Sequence, residues 1–174
     1  MINLNVSKKT GGKYFGFFGL KKISYGLLIF GLILSFGSYA YADSICELWS
    51  RVFDLGGHDL ATGVTTDSSG NVIVTGLAAE NGYYTIKYDP SGNELWSRTY
   101  NSGSLDIAYG VTTDSSGNVI VTGVADMDYY TIKYDPSGNE LWSKSYDSGF
   151  GGDTARGVTT DSSGNVIVTG VADM

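Results

Sequence analysis

The side chains that could perform nucleophilic or general-base chemistry are few. The 174-residue chain has one histidine, His58, and one cysteine, Cys46. Covalent catalysis needs a nucleophile beside a base that a third group orients, and these two residues have no such partners in the sequence. This composition also excludes a disulfide scaffold and a Cys/His zinc module. We therefore predict no catalytic residues and a protein that is not an enzyme.

His58 lies in a glycine-rich stretch and is expected to be an exposed loop residue. Cys46 is expected to be a small buried hydrophobe, with an intermolecular disulfide as the alternative. Aspartates are abundant, but the recurrent segment 67–71 has its glycine as the fourth residue, whereas a calcium loop of the EF-hand type has it as the sixth. Because the acids of repeated segments recur, they provide no unique carboxylate pair for glycoside hydrolysis. We expect them to form turns, with no metal ion and no cofactor bound.

The remaining candidates for binding lie in stretches that differ between otherwise repeated segments. These stretches are residues 55–62, 77–82, 101–109, 124–128 and 147–156. The candidate contact residues within them are His58, Thr62, Glu80, Asn81, Tyr109, Asp126, Asp128 and Arg156. Variable loops on a constant scaffold suit ligand contact, although loops that nothing constrains vary in the same way.

Three copies of one unit would position these residues. The segment Gly-Val-Thr-Thr-Asp-Ser-Ser-Gly-Asn-Val-Ile-Val-Thr-Gly occurs unchanged at 63–76, 110–123 and 157–170. A second block, Tyr-Tyr-Thr-Ile-Lys-Tyr-Asp-Pro-Ser-Gly-Asn-Glu-Leu-Trp-Ser, occurs at 83–97 and 129–143. A period in the forties without helical periodicity is typical of propeller blades, each with about four strands.

Each unit is predicted to form four short strands joined by tight turns. In the first unit the strands are expected at 63–67, 71–76, 83–89 and 93–100. The Asp-Ser-Ser-Gly-Asn and Asp-Pro-Ser-Gly-Asn segments between them suit hairpins in which Asp accepts backbone hydrogen bonds and Gly takes a positive φ. Because antiparallel strands alternate in direction, both turns lie at one end of the sheet and the variable stretches at the other.

The two blocks together resemble a known repeat. The first reads Asp-x-Ala-x-Gly-Val-Thr-Thr-Asp-Ser-Ser-Gly-Asn-Val-Ile-Val-Thr-Gly, and the second reads Tyr-Thr-Ile-Lys-Tyr-Asp-Pro-Ser-Gly-Asn-Glu-Leu-Trp. They are similar to the SBBP type of bacterial and archaeal β-propeller repeat, over residues 47–174. The resemblance implies a propeller of roughly seven blades on a secreted or surface protein, usually with no assigned activity. Weaker likenesses to NHL-type and quinoprotein blades imply the same architecture.

The amino terminus has the pattern of a helical signal peptide. Five lysines precede an apolar run of 16 residues, Ile23–Ser38, and Ala40-Tyr41-Ala42 follows it. The run is shorter than the roughly 20 residues of a membrane-spanning helix. We expect cleavage after Ala42, no membrane span thereafter, and a secreted, periplasmic or cell-surface location. An uncut amino-terminal anchor is the alternative.

The predicted fold class is all-β, an incomplete β-propeller of four-stranded antiparallel blades behind that signal peptide. Its expected parts are a signal peptide at 1–42, an orphan outer strand and linker at 43–58, blade 1 at 59–105, blade 2 at 106–152 and a partial blade 3 at 153–174. Propellers close with about four to eight blades. We therefore expect a truncated gene product, or self-association through open blade faces.

The charge distribution restricts the partners. Residues 43–174 contain six basic and 18 acidic residues, a net charge of −12. Such a surface repels phosphate backbones, so we expect no nucleic-acid binding. The predicted function is a non-catalytic scaffold or binding module for an unknown surface protein or glycan. The alternative is a fragment of a propeller lyase, hydrolase or quinoprotein whose catalytic residues lie in blades absent from this chain.

Overall fold

The computed structural model describes residues 2–13, 41–78 and 82–173. In these ranges the chain is all-β, with twelve strands and no helix. The strands are β1 (Ile2–Lys13), β2 (Tyr41–Phe53), β3 (Leu60–Thr66), β4 (Val72–Ala78), β5 (Gly82–Tyr88), β6 (Glu94–Tyr100), β7 (Ile107–Thr113), β8 (Val119–Ala125), β9 (Asp128–Tyr134), β10 (Glu140–Tyr146), β11 (Thr154–Thr160) and β12 (Val166–Val171). By contacts the chain divides into two units, residues 1–5 with 49–174, and residues 6–48.

The sequence repeats fold into successive antiparallel sheets within the larger unit. One sheet has the order β3-β4-β5-β6 and the next has β7-β8-β9-β10, while β11 and β12 form a two-stranded sheet. The predicted four-stranded units and their strand positions are thus confirmed to within a few residues. In the described residues the sheets do not close into a ring or a barrel.

The predicted turns have the expected hydrogen bonds. In the first, the amide of Asp67 donates to the carbonyl of Asn71 at 3.1 Å, and the amide of Gly70 donates to the carbonyl of Asp67 at 3.0 Å. The Asp67 carboxylate accepts from the amides of Ser69 and Asn71 at 2.9 and 3.0 Å. Gly70 has a φ of 78°, a left-handed conformation in which a side chain is unfavourable. The same bonds recur in the four other turns.

The core lies within and between the sheets. Strands β4 and β5 are buried along their whole length, as expected for strands with apolar residues on both faces. Strand β7 packs against β3 and β4, and β11 packs in the same way against β7 and β8. A cluster that includes Ile73, Tyr83 and Trp96 joins the first four-stranded sheet to Val121 and Ile132 of the second. Sheet-to-sheet packing therefore repeats along the chain as the sequence does.

The expectation of a helical amino terminus is wrong for residues 2–13, which form β1 and pair with β2. Apolar Ile2, Leu4 and Val6 alternate with asparagines, and this period of two favours a strand. The apolar run at 23–38 lies outside the described residues. No described segment is a helix with the length and apolar composition needed to cross a membrane.

Candidate functional site

Three of the candidate residues occupy one equivalent position in the three repeats. Thr62, Tyr109 and Arg156 each lie where the register of the first strand shifts against the second. Each shift is a β-bulge, because one residue of the first strand has no partner opposite it. Bulges change the direction in which a side chain projects and often lie beside binding sites. These three residues, here named the bulge row, differ in side chain although the strands around them are alike.

Members of the bulge row contact the neighbouring repeat. The Thr62 hydroxyl donates towards the carbonyl of Ala108 in the next sheet and lies 3.2 Å from the carbonyl of Thr75 in its own. The Arg156 guanidinium lies over the ring of Tyr109, 4.9 Å from its centroid. That distance permits a cation–π interaction. The three residues therefore lie on the successive first strands β3, β7 and β11, which pack against one another.

Glycines allow the first strands to approach each other at the bulge row. A Cβ on Gly63 would lie 3.3 Å from the carbonyl oxygen of Tyr109, and one on Gly110 would lie 3.3 Å from the amide of Val158. Any larger side chain would separate the strands. The spacing of the row is thus a consequence of the repeated glycine that follows each bulge.

Buried aspartates hold the loops beside the bulge row. Asp106 accepts hydrogen bonds from the amide and hydroxyl of Ser102, and Asp153 accepts the same pair from Ser148. Each also accepts a hydrogen bond from a backbone amide in the loop after the second strand. Asp106 accepts from the amide of Asp126 at 3.3 Å, and Asp153 accepts from the amide of Asp173 at 3.1 Å. These aspartates therefore have a structural role, which is to stabilise the loops.

An acidic cluster lies at the junction between the second and third repeats. Carboxylate oxygens of Asp128, Asp147 and Asp153 lie within 4.8 Å of one another. Partial burial, and then the nearby charges of Asp147 and Asp153, raise the pKa of Asp128 above its usual value. Among the described residues this is the group with the donor types and spacing to hold a cation.

The sequence prediction included Asp128 but missed its two partners. A signal was present, since Gly82 and Asn101 in the first repeat stand where Asp128 and Asp147 stand in the second. Because both positions become aspartate at the same junction, the two residues are expected to lie close together in the fold. Asp153 recurs with the spacing of Asp59 and Asp106 at the head of each first strand, and such regularity favours a capping role over ligand binding.

The loop after β8 presents an exposed apolar residue beside this cluster. Asp126 and Met127 have φ values of 52° and 70°, a conformation that non-glycine residues seldom adopt. The amide of Asp153 donates to the Met127 carbonyl at 2.6 Å and holds the loop in place. Met127 and Phe150 are both exposed there. Neither was predicted as a contact residue, because single apolar residues in loops carry no distinctive pattern.

The other candidates are dispersed. His58 is exposed in the loop between β2 and β3. Asp126 is exposed and accepts the hydroxyl of Ser104 at 3.1 Å. Glu80 and Asn81 lie outside the described residues. The structure thus brings together the bulge row and, separately, the acids around Asp128.

The opposite end of the sheets consists of the five repeated turns, and their polar groups are used internally. Hydrogen bonds from the Asn93 side chain and from backbone amides lower the pKa of Asp89. The equivalent bonds lower the pKa of Asp135 and of Asp161. Repetition at this end therefore reflects turn formation, as the sequence predicted.

No protein-family model and no curated protein matches this chain. Among solved structures, it is similar to a crystal structure of a protein of unknown function from Bacteroides caccae, with a TM-score of 0.51 and 16% identity. The match covers 70% of this chain and 42% of that one, so this chain spans less than half the length of the similar protein. At this identity the likeness concerns the fold alone.

Proposed function

We propose that this chain is an exported, non-catalytic binding module built of SBBP-type propeller blades, and that it binds a surface glycan. The contact surface consists of the bulge row and the loops at 101–106, 126–127 and 147–153. The proposal depends on one observation. The turn aspartates accept the same hydrogen bonds in every copy, whereas the side chains that differ gather at the end of the sheets where the loops lie.

The chemistry of this surface favours neutral or amino-bearing sugars. Exposed carboxylates such as Asp126 and Asp147 accept hydrogen bonds from hydroxyl and ammonium groups. Exposed Met127 adds apolar area against which the face of a sugar ring can pack, and exposed Arg156, held over the ring of Tyr109, adds hydrogen-bond donors for sugar hydroxyls. Acidic glycans are disfavoured by the net charge of −12 on residues 43–174.

A printed panel of neutral, amino-bearing and acidic glycans tests the proposal with the full chain. We expect binding to neutral or amino-bearing members and a loss of about tenfold or more for Tyr109→Ser and Arg156→Gln. The matched control is Ser68→Ala, an exposed residue in a repeated turn, which should bind like the parent chain.

Absence of binding across the panel would refute the proposal, as would equal binding by Tyr109→Ser. Release of free sugar from a bound glycan would show a hydrolase and overturn the non-catalytic assignment.

A further inference from the structure

Three loops lead into the first strands β3, β7 and β11, and they are here named the junction loops. They comprise residues 54–59, 101–106 and 147–153. Their sequences differ, since they read Asp-Leu-Gly-Gly-His-Asp, Asn-Ser-Gly-Ser-Leu-Asp and Asp-Ser-Gly-Phe-Gly-Gly-Asp. All three lie at the end of the sheets opposite the repeated turns.

The junction loops share one backbone framework despite these differences. In each loop the carboxylate of the last residue, a buried aspartate, accepts a hydrogen bond from the amide of the second residue. The side chain of the first residue accepts one from the amide of the third. That third residue is a glycine, Gly56, Gly103 or Gly149, with a φ of 81°, 97° or 85°. The loops are therefore held in the same way on successive sheets.

Each junction loop presents one large apolar side chain to solvent. Leu55, Leu105 and Phe150 are 50%, 53% and 70% exposed. They are the second, fifth and fourth residues of their loops, so the shared property does not come from a copied sequence. A single exposed apolar residue is ordinary, but one in every loop at the same end of the sheets indicates a contact surface.

Hydrogen-bonding groups accompany these apolar side chains. His58 in the first loop, Ser104 in the second and Asp147 in the third are all exposed. A sugar ring has an apolar face and a rim of hydroxyl groups. An apolar side chain beside a polar group therefore suits one sugar unit, which packs its face on the first and hydrogen-bonds to the second.

We propose that the three junction loops are successive subsites for one linear oligosaccharide, in which Leu55, Leu105 and Phe150 pack on different sugar units. This proposal rests on the glycan-binding function proposed above, and it adds the loop at 54–59 to the contact surface. The ligand class is thus a chain of neutral or amino-bearing sugars, and not a single sugar. Each loop binds one unit weakly, and a chain that reaches several loops gains affinity because the later contacts form within the complex.

Isothermal titration calorimetry of the full chain with two length series tests the proposal. The probes are cello-oligosaccharides, which are chains of neutral glucose, and chitosan oligosaccharides, which are chains of amino-bearing glucosamine. Each series runs from the monosaccharide to the hexasaccharide. In at least one series we expect the hexasaccharide to bind more tightly than the monosaccharide by about tenfold or more.

Three variants, Leu55→Ser, Leu105→Ser and Phe150→Ser, test the loops one at a time. Each should lower the affinity for the hexasaccharide by about fivefold or more, but that for the monosaccharide by about twofold at most, because two loops remain. Leu141→Ser is the matched control, since Leu141 is 52% exposed but lies on β10 beside the repeated turn at 135–139. It should bind both probes like the parent chain, and far-UV circular dichroism confirms that every variant retains its strands.

Equal affinity for the monosaccharide and the hexasaccharide overturns the proposal. So does a loop variant that loses binding at every length, because that result shows a single subsite, and so does an equal loss in Leu141→Ser. In these cases binding that Tyr109→Ser weakens leaves the glycan function itself standing. Binding of neither series also overturns the linear-chain proposal, whereas binding of other members of the printed panel would again preserve the glycan function.

Discussion

At the residue scale, the turn glycine of the second hairpin serves both conformation and packing. Gly92 and Gly138 have φ values of 81° and 85°, which exclude most side chains without strain. A Cβ on Gly138 would also lie 2.8 Å from the ring of Trp96, and one on Gly92 would lie 2.6 Å from that of Trp49. The turn can therefore receive the indole of the preceding sheet because it carries no side chain there.

Replacement of Gly138 by alanine separates these two roles when it is compared with Gly164→Ala. Gly164 has a similar φ of 82°, but nothing lies within 4 Å of its Cβ position. We expect Gly164→Ala to lower the free energy of unfolding by about 1 kcal/mol through backbone strain. Gly138→Ala should cost about 1–3 kcal/mol more because the indole must move. Urea denaturation followed by tryptophan fluorescence measures both, and equal losses would contradict the packing role.

At the element scale, a buried ion pair ties the third strand to the turn between the first and second. Lys87 on β5 and Asp67 are 3% and 5% exposed and lie 2.9 Å apart. Burial raises the pKa of Asp67, but hydrogen bonds from Asn71 and Lys87 outweigh it and hold the pKa below the ordinary 3.8. The pair spans the intervening strand β4 and thereby links the two hairpins of the sheet.

We expect Lys87→Met to destabilise the fold by about 3–5 kcal/mol, because it leaves the Asp67 carboxylate buried without its cation. The lowered pKa of Asp67 contributes stability that is present above pH 3.8 and is lost as the pH falls through the native pKa. The variant removes one cause of that lowering, so it should lose less stability on acidification than the parent chain.

Acid titrations monitored by circular dichroism at fixed urea concentration measure this difference. Lys144→Met is the control, since Lys144 is exposed and should leave both stability and its pH dependence unchanged. Parallel pH profiles for Lys87→Met and the parent chain would show that Asp67 gains nothing from the ion pair.

At the scale of the whole molecule, neighbouring sheets decide how strongly each copy of the repeat is protected. The segment Val-Ile-Val-Thr-Gly forms β4, β8 and β12 in turn. It is buried in the first two, where a third strand pairs with it, and mostly open in β12. Sequence, propensity and turn chemistry are constant among these copies, so the environment alone differs.

The rates of amide hydrogen exchange should therefore differ among the three copies of this segment. We expect the amides at 72–76 and 119–123 to exchange slowly and those at 166–170 to exchange faster by about tenfold or more, because β11 is the only described strand that pairs with β12. Intrinsic exchange rates are alike in identical sequences, which makes each copy a control for the others. Nuclear magnetic resonance, with resonances assigned through the different residues that flank each copy, distinguishes them. Equal protection would mean that the edge of β12 is covered in solution.

Much of the scaffold could be predicted because its causes are local. Turn chemistry around Asp67 and Gly70, and the runs of β-branched and aromatic residues between the turns, determine the hairpins and the four-stranded units. The candidate site was only partly predictable. Thr62, Tyr109 and Arg156 could be selected as variable residues, but their assembly into one row depends on bulges and on the close approach of Gly63 and Gly110 to the next sheet.

The sequence by itself determined the repeat, the turns and the strands, because the turn hydrogen bonds join residues three or four apart and the strands follow local runs of β-branched and aromatic residues. Only the tertiary structure decided that Asp147 and Asp153 lie beside Asp128, and that Trp142 is half-buried whereas Trp96 is buried. Those facts depend on contacts between residues that are far apart in the chain, and identical local sequences cannot distinguish them. Burial and proximity result from which sheet packs on which, so three equal segments have different surroundings.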